Sequence, residues 1–238
     1  MKATFPAYVV NVERRQDRRK RMERILPNNL VSTFTTEWDL NYDAHRLDEC
    51  PPPQFDLFPW EIESENKWFD RPLKKGEVCC SIAHWAVWNQ IAHENQDIAL
   101  ILEDDIWFAP DFVNKLSSVI SELQELDSEW DLLYLGRVAL EDDEEQITER
   151  LVRPMYSHCT YGYILSYNGV QKLLNADFDQ DIIPVDEFLP AMYTEHVRED
   201  VRSRYQPCLS AYAVTPDLIG QLPKEVAGSE TENSEFVI

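Results

Sequence analysis

The chain has 238 residues, 44% of them hydrophobic, which is enough to form a sizeable core and argues against global disorder. Its formal net charge of -22, from 44 acidic and 22 basic residues, argues against binding a nucleic-acid backbone, because an acidic surface repels phosphates. The five cysteines include no CxxC spacing, so we expect reduced thiols rather than a disulfide framework or a zinc site.

The first residues of the chain predict a strand, a basic helix and a second strand. Tyr8, Val9 and Val10 form a short apolar run typical of a buried strand. An arginine-rich segment over residues 14–21 follows, and the apolar residues after it recur at helical spacing, so this segment is predicted to open a helix. Residues 30–36 are rich in β-branched side chains, which favours a strand.

Residues 41–72 show no periodic pattern and predict a long irregular loop that could cover an acceptor site. The loop contains five aromatic residues that look exposed: Phe55, Phe58, Trp60, Trp68 and Phe69. The alternative is an ordinary surface loop that these aromatic side chains pin to the protein.

The remainder of the chain alternates between helical and strand patterns. Helices are predicted from Gly76, over residues 112–126, from Ser166 to Leu174 and from Pro184. Strands are predicted over residues 98–102, 130–135, 161–165 and 209–214. This alternation predicts an α/β fold with a mostly parallel central sheet flanked by helices. We assign residues 1–222 to a single domain and residues 223–238 to a polar, flexible tail.

Three consecutive acids, Glu103, Asp104 and Asp105, directly follow the apolar strand over residues 98–102. Adjacent carboxylates repel one another and lose hydration on burial, so a cation would stabilise them at this position. Open α/β sheets bind ligands just beyond the carboxyl ends of their strands, and carboxylate oxygens suit Mg²⁺ or Mn²⁺. The alternative is a solvated acidic turn without a ligand.

Other polar residues each have two interpretations. Arg14 and Arg18 could hold a phosphate at a helix N-terminus, or they could lie on a solvated helix face. Asp186 and Glu187 could include a general base, or they could only stabilise a helix start through the helix dipole. His84 lies on a Trp-rich helix, where the pattern alone favours a core residue over a ligand.

Six segments of the chain, in this order, resemble the motifs of glycosyltransferase family 25. They are residues 10–19, 76–84, 99–105, 130–136, 161–163 and 186–190. The third segment reads Ala-Leu-Ile-Leu-Glu-Asp-Asp, unchanged from the family pattern, whereas Cys79 and Ala83 replace a usual glycine and serine. The family includes lipopolysaccharide-type galactosyltransferases and collagen hydroxylysine galactosyltransferases.

This resemblance implies a GT-A type nucleotide-binding fold and a metal-dependent transfer of galactose or glucose from a UDP-sugar to a hydroxyl acceptor, either a glycan or hydroxylysine. It implies that Glu103 and Asp105 bind Mn²⁺ or Mg²⁺, with Asp105 the first choice. It implies that Asp186 or Glu187 deprotonates the acceptor and that the reaction inverts the anomeric centre. The residues it implies for the donor are Asn11, Arg14, Arg18, Glu77, His84 and Asp104.

A hypothesis from another class is a catalytically silent sugar-nucleotide-binding or scaffold protein with the same fold.

The chain has no run of about 20 apolar residues and no apolar leader after Met1. We therefore expect no transmembrane segment and a cytoplasmic location, with a lumenal location as the alternative.

Overall fold

The computed structural model of the chain describes residues 6–38, 42–47, 49–63, 65 and 69–237. The strands are β1 (Pro6–Val10), β2 (Val31–Phe34), β3 (Ile98–Glu103), β4 (Ile106–Phe108), β5 (Leu132–Ala139), β6 (Glu145–Gln146), β7 (Leu151–Arg153), β8 (Ser157–Ser166), β9 (Ala211–Val214) and β10 (Ile219–Gln221). The helices are α1 (Gln16–Ile25), α2 (Lys75–Glu94), α3 (Phe112–Leu126), α4 (Tyr167–Leu174), α5 (Val185–Ala191), α6 (Glu199–Arg204) and α7 (Lys224–Ala227). Within the described ranges, no helix combines the length and apolar character needed to cross a membrane.

Eight of the strands form one sheet in the order β2-β1-β3-β8-β5-β9-β7-β6. β1 pairs in parallel with β2 and β3, and β5 pairs in parallel with β9. β8 lies antiparallel between β3 and β5, and β7 lies antiparallel beside β9. The predicted α/β fold is confirmed, and its sheet is mixed at β7 and β8. A strand that is buried on both faces has the same apolar pattern in either direction, so the sequence did not reveal this reversal.

β3 is buried on both of its faces, as its apolar run predicts. Ala99 and Ile101 belong to the hydrophobic cluster under α2, whereas Leu100 and Leu102 belong to the cluster under α3. Successive side chains of a strand point to opposite faces, so this single strand joins the two halves of the core. Each fully buried leucine or isoleucine side chain of β3 stabilises the fold by roughly 1.5–3 kcal/mol.

Gly136 lies where β10 passes over the sheet. The pairing of β5 with β8 shifts register on both sides of Gly136. A Cβ atom at this position would lie 1.9 Å from the main-chain oxygen of Ile219. Only a residue without a side chain therefore allows the main chain of β10 to approach β5 this closely.

The irregular loop over residues 41–72 contains no helix or strand in its described part, as predicted. Four of the five predicted aromatics are not exposed, because Phe55, Phe58 and Phe69 are buried and Trp60 is half-buried. Phe55 packs edge-to-face on Trp85 of α2, with ring centroids 5.2 Å apart. The interpretation of a loop pinned by aromatics is therefore supported for these residues. The fifth predicted aromatic, Trp68, lies outside the described residues.

Residues 224–237, here called the strap, return to the start of α2. The main-chain N–H of Lys75 donates to the carbonyl of Glu235, and that of Val237 donates to the carbonyl of Leu73, both at 2.8 Å. Ala227 is buried. These contacts attach residues 224–237 of the predicted polar, flexible tail over residues 223–238 to the start of α2, and residue 238 lies outside the described chain. A polar composition indicates exposure, but it does not reveal the partners that hold such a segment in place.

Candidate active site

The carboxyl ends of β1 and β3 lie side by side at one edge of the sheet. Val10 is paired with Glu103, so Asn11 and residues 103–105 follow neighbouring parallel strands. Gln221, the last residue of β10, pairs with Ile106 and brings an amide to the same place. This edge is where open α/β sheets bind their ligands. The predicted Asn11 and the three predicted carboxylates are therefore brought together.

Asp104 uses both of its carboxylate oxygens within the protein. Asn11 Nδ2 donates to its Oδ2 at 2.7 Å, and Arg18 Nη1 donates to its Oδ1 at 2.6 Å. All three residues are buried. A buried carboxylate is costly unless it is paired, and these two donors supply the pairing. Asp104 therefore ties β3 to the loop after β1 and to α1.

Glu103 and Asp105 have fewer donors than Asp104. Thr160 Oγ1 donates to Glu103 Oε1 at 2.6 Å. Gln221 Nε2 lies 3.5 Å from Glu103 Oε2 and 3.3 Å from Asp105 Oδ1. Burial and then repulsion from Asp105 raise the pKa of Glu103 to about 8. Burial also raises the pKa of Asp105, although Arg18 opposes this shift. These two carboxylates are close together without a full set of positive partners.

A first cavity opens at this edge, and its wall includes Asn11, Arg14, Arg18 and the three carboxylates. Asn11 Oδ1 and Arg18 Nε are both buried with no hydrogen-bond partner among the described residues. Buried polar atoms are normally paired, so these two atoms offer an acceptor and a donor that a ligand could satisfy. The predicted arginines do reach this cavity, and they can offer charge to an anionic ligand.

A second cavity adjoins the first and is lined by Glu77, His158, Asp186 and Glu187. Six residues belong to the walls of both cavities: Cys80, Glu103, Gln221, Lys224, Ser229 and Thr231. Glu103 therefore stands at the junction between the cavity with the arginines and the cavity with Asp186. Two substrates bound in these cavities would meet beside the undercompensated carboxylates.

Glu187, in the first turn of α5, is buried and held by three side chains. His196 Nε2 lies 2.9 Å from its Oε2, and the Tyr156 hydroxyl donates to the same oxygen. His158 Nε2 lies 3.3 Å from the other oxygen. Burial alone would raise the pKa of Glu187, but hydrogen bonds from His158 and His196 outweigh burial and lower the pKa to about 2. Glu187 is therefore an anion whose oxygens are occupied by the protein.

The tautomer of His196 follows from its second contact. The main-chain N–H of Arg198 donates to His196 Nδ1 at 3.1 Å. This nitrogen must therefore be an acceptor, so in the neutral ring the proton lies on Nε2. That proton faces Glu187, which makes the His196 ring a fixed donor to the carboxylate.

Asp186 differs from its neighbour in having no such partners. It is half-buried, it lines the second cavity, and no side chain within the described ranges donates a hydrogen bond to it. Burial and repulsion from Glu187 raise the pKa of Asp186 to about 6. A carboxylate with a pKa near 6 and open oxygens can accept a proton from a hydroxyl group close to neutral pH.

The two remaining predicted donor residues lie elsewhere. Glu77 accepts a hydrogen bond from the main-chain N–H of Lys74 at 2.7 Å and pairs with Arg71, so it caps α2 beside the second cavity. His84 is fully buried, with Nδ1 2.7 Å from the Tyr163 hydroxyl, and it lines neither cavity. This placement contradicts the expectation that His84 contacts the donor, because its position on α2 points into the core.

Sequence analysis did not identify His158, Thr160, His196 or Gln221 as site residues. In β8 the polar residues 157–160 come before the apolar residues. In β3 the order is the reverse, since the polar residues 103–105 come after the apolar residues. Because β8 is antiparallel to β3, its polar beginning meets the polar end of β3. An expected reversal of β8 would have pointed to His158 and Thr160. His196 and Gln221 lie in segments without a pattern that could have singled them out.

The chain is similar to known proteins over nearly its full length. "Procollagen galactosyltransferase 1-A" from Xenopus laevis is 32% identical over 94% of this chain and 36% of its own length. "Procollagen galactosyltransferase 2" from Homo sapiens is 30% identical over 95% of this chain and 37% of its own length. "Probable inactive glycosyltransferase 25 family member 3" from Bos taurus is 30% identical over 95% of this chain and 39% of its own length. The chain thus spans less than two-fifths of the length of these relatives.

A crystal structure of mannose-1-phosphate geranyltransferase from Thermus thermophilus aligns with 90% of this chain and 74% of its own at 10% identity. Its TM-score of 0.39 indicates only a distant structural similarity. The family model described as "Glycosyltransferase family 25 (LPS biosynthesis protein)" matches residues 5–189. The match includes the carboxylates after β3 and the first turn of α5, and it confirms the resemblance drawn from the motifs. The chain belongs to glycosyltransferase family 25.

Proposed function

We propose that the chain transfers a hexose, galactose or glucose, from a UDP-sugar to an acceptor hydroxyl with the help of a divalent cation. The observation that carries this proposal is the pair of adjoining cavities that meet at Glu103. One cavity offers Arg14, Arg18 and the open oxygen of Asn11 to an anionic donor. The other offers the open carboxylate of Asp186 to an acceptor. Family membership and relatives named as galactosyltransferases support a sugar donor, with galactose favoured.

The carboxylates after β3 fit a divalent cation. The raised pKa values of Glu103 and Asp105 reflect burial together with repulsion from neighbouring carboxylates, and a cation would relieve both. No cluster of three or more His, Cys, Asp or Glu side chains suited to a metal occurs in the described part of the chain. A cation held by Glu103 and Asp105 would therefore need further oxygens, which a diphosphate and water supply in many Mg²⁺ sites.

We assign Glu103 and Asp105 as the cation ligands and Asp104 as the residue that holds them in place through Asn11 and Arg18. When bound, Mn²⁺ or Mg²⁺ would act as a Lewis acid that stabilises negative charge on the leaving diphosphate. Gln221 can donate to either carboxylate, so it would orient both of them. Arg14 would contribute positive charge from the other side of the first cavity.

Asp186 is our choice for the general base, and Glu187 is not. Asp186 Oδ would remove the proton of the acceptor hydroxyl, and the resulting oxygen nucleophile would form a bond to the anomeric carbon as UDP leaves from the opposite side. This in-line displacement inverts the anomeric configuration. The three donors on Glu187 make it a positioning residue, because a carboxylate with a pKa of about 2 is a poor base at neutral pH.

The acceptor is proposed from the relatives and from charge. Two of the relatives carry "procollagen" in their names, which supports a hydroxylysine-type acceptor. The second cavity is lined by Glu77, Asp186, Glu187 and Glu232, of which Glu77 pairs with Arg71 and Glu232 pairs with Lys224. The open carboxylate of Asp186 would attract an acceptor that carries an ammonium group near its hydroxyl, as hydroxylysine does. A neutral glycan hydroxyl is the alternative acceptor.

The test is a UDP-release assay with UDP-galactose and UDP-glucose, with and without Mn²⁺, against glycans and hydroxylysine peptides. We expect Mn²⁺-dependent release that falls about 10²–10³-fold in Asp105→Asn, the range typical of losing one electrostatic contact to the leaving group. Asp142→Asn, on an exposed residue of an acidic loop, is the matched control. Equal turnover in Asp105→Asn and wild type would remove the cation site from the proposal.

A catalytically silent protein is the second candidate, because one relative is named "Probable inactive glycosyltransferase 25 family member 3". Such a protein would bind UDP with Mn²⁺ but would release none from any UDP-sugar with any acceptor. Calorimetry with UDP and Mn²⁺, run beside the turnover assay, separates the two candidates.

A further inference from the structure

The strap forms part of the wall that the two cavities share. Ser229 and Thr231 line both cavities, Gly228 and Glu230 line the first, and Glu232 lines the second. The strap lies outside the family match, which ends at residue 189. Its role at the site is therefore not one that family membership supplies.

The strap is attached mostly by polar contacts. Ser234 Oγ accepts a hydrogen bond from the N–H of Gly76 at 2.8 Å, and Lys75 pairs with Glu235 at 3.0 Å. Ala227 is buried and Val237 packs half-buried against the core, whereas Val226 and Phe236 are 73% and 45% exposed. Exposed ion pairs contribute only about 0–1 kcal/mol each, and little apolar surface is buried here. The strap can therefore detach at a much smaller free-energy cost than unfolding the sheet.

Glu230 occupies the arginines at the start of α1. Its carboxylate forms ion pairs with Arg14 and with Arg15. Arg18 Nη2 donates to the carbonyls of Ala227 and Gly228, at 3.0 and 2.9 Å. A carboxylate and a phosphate bind a guanidinium through the same fork of N–H groups, so one arginine cannot serve both fully. The strap holds an anion where the donor diphosphate would need cations.

We propose that the strap is a gate of the donor site, in which Glu230 competes with the donor diphosphate for Arg14, the arginine that pairs with Glu230 and lines the first cavity. This inference rests on the proposed nucleotide-sugar donor. In the closed arrangement, Glu230 shares Arg14 with Asp43, which lies 2.8 Å from Arg14 Nε, and residues 228–231 line the first cavity. Donor entry and UDP release both require the strap to lift. The apparent dissociation constant of the nucleotide is then the intrinsic value divided by the open fraction.

The first test removes the competing charge with Glu230→Gln. Weaker pairing with Arg14 and Arg15 raises the open fraction, so the dissociation constant for UDP with Mn²⁺ should fall by about threefold to tenfold. Glu225→Gln, on an exposed residue of α7, makes the same change in net charge away from the arginines and should leave affinity unchanged. Unchanged or weaker UDP binding in Glu230→Gln would overturn the competition.

The second test locks the gate with a disulfide in Lys74→Cys/Phe236→Cys. Lys74 and Phe236 face each other in an antiparallel bridge, flanked by the Lys75–Glu235 and Leu73–Val237 hydrogen bonds. Such non-hydrogen-bonded pairs have Cα atoms about 4.5 Å apart, within the range that a disulfide spans. After treatment with oxidised glutathione, UDP association should slow at least about tenfold. A thiol reductant should restore the original rate, and the two single-cysteine variants and wild type are the controls for the native thiols.

The outcomes separate this inference from the proposed function. If wild type binds UDP with Mn²⁺ but the locked and reduced forms of the double variant bind it at equal rates, the gate is wrong and the donor site stands. If wild type binds no UDP with Mn²⁺, the donor proposal fails and the gate fails with it.

Discussion

Glu103 and Glu187 are two glutamates of the same site with opposite surroundings. Both are largely removed from water, which by itself raises the pKa of a carboxyl group. Glu187 receives hydrogen bonds from two histidines and a tyrosine, and its pKa falls to about 2. Glu103 receives one from Thr160 and a long one from Gln221, it faces Asp105, and its pKa rises to about 8. The difference lies in the partners that each carboxylate has, not in the depth of burial.

This contrast distinguishes two kinds of buried carboxylate in the site. A buried carboxylate whose charge is balanced by protein donors serves the fold, as Glu187 and Asp104 do. A buried carboxylate left with too few donors is stable as an anion only when something outside the chain balances it. On this basis we propose that a cation balances Glu103 and Asp105 and that Asp186 accepts a proton.

The largest effect is expected for Asp186→Asn. The amide cannot accept a proton from the acceptor, so turnover should fall about 10²–10⁴-fold, the range of general-base catalysis. The affinity for UDP should stay close to wild type and the free energy of unfolding should not fall, because burial and Glu187 disfavour the charge of Asp186 and raise its pKa to about 6. A steady-state assay of UDP release with denaturation curves measures all three quantities. Turnover within threefold of wild type would show that another group is the base.

Glu187→Gln should instead reduce stability. The pKa of Glu187 is lowered from 4.5 to about 2, so its charge stabilises the fold above pH 4.5, and this contribution disappears as the pH falls towards 2. The expected loss in the variant is about 2–3 kcal/mol at pH 7, with a much smaller difference from wild type near pH 2. Urea denaturation at several pH values measures this difference. Equal stability at pH 7 would contradict the structural role of Glu187.

The pH dependence of the reaction should report Asp186. A base must be unprotonated, and the pKa of Asp186 is raised to about 6 by burial and by Glu187. We therefore expect kcat/KM to fall by about tenfold per pH unit below pH 6 and to level off above it. In Glu187→Gln, the loss of the neighbouring charge should shift the fall in kcat/KM to lower pH. If the fall occurs at the same pH in this variant, the titrating group is not Asp186.

The smallest effect is a proton released when the cation binds. Glu103, with a pKa of about 8, is largely protonated at pH 7 and must lose its proton to bind a metal ion. Mn²⁺ binding should release about one proton at pH 7 and almost none at pH 9. Titration calorimetry in buffers of different ionisation enthalpy counts these protons. Glu103→Gln should abolish this proton release. If Mn²⁺ binds to the wild type at pH 7 without releasing a proton, Glu103 is not a ligand of the cation.

The sequence was informative wherever function followed a regular pattern. The apolar run of β3 predicted a strand buried on both faces, and it therefore predicted that Glu103 to Asp105 emerge at a sheet edge. The basic residues after β1 were correctly expected at the start of a helix, and Arg14 and Arg18 do reach the first cavity. In each case local periodicity fixes where the residue lies along its element. The parallel pairing of β1 with β3 then brings the ends of the two strands together.

The sequence was uninformative where position depends on contacts distant in the chain. His158 contacts Glu187 only because β8 runs antiparallel to β3, and the apolar pattern is silent on direction. Asp186 and Glu187 are adjacent acids with no local difference, yet Glu187 is held by Tyr156, His158 and His196, whereas no side chain in the described part of the chain donates a hydrogen bond to Asp186. The strap shows the same limit, since its polar composition predicts exposure but not its arginine partners. Long-range pairing of single polar residues leaves no periodic signal.

Gly136 affects the proposed active site although it lines neither of the two cavities. Its missing side chain lets the carbonyl of Ile219 sit against β5, and Ile219 is two residues before the amide that bridges Glu103 and Asp105. A single methyl group added at Gly136 would push β10 outward and drag the Gln221 amide off both acids. The affinity of the proposed cation site would thus depend on a residue that lines neither of the two cavities.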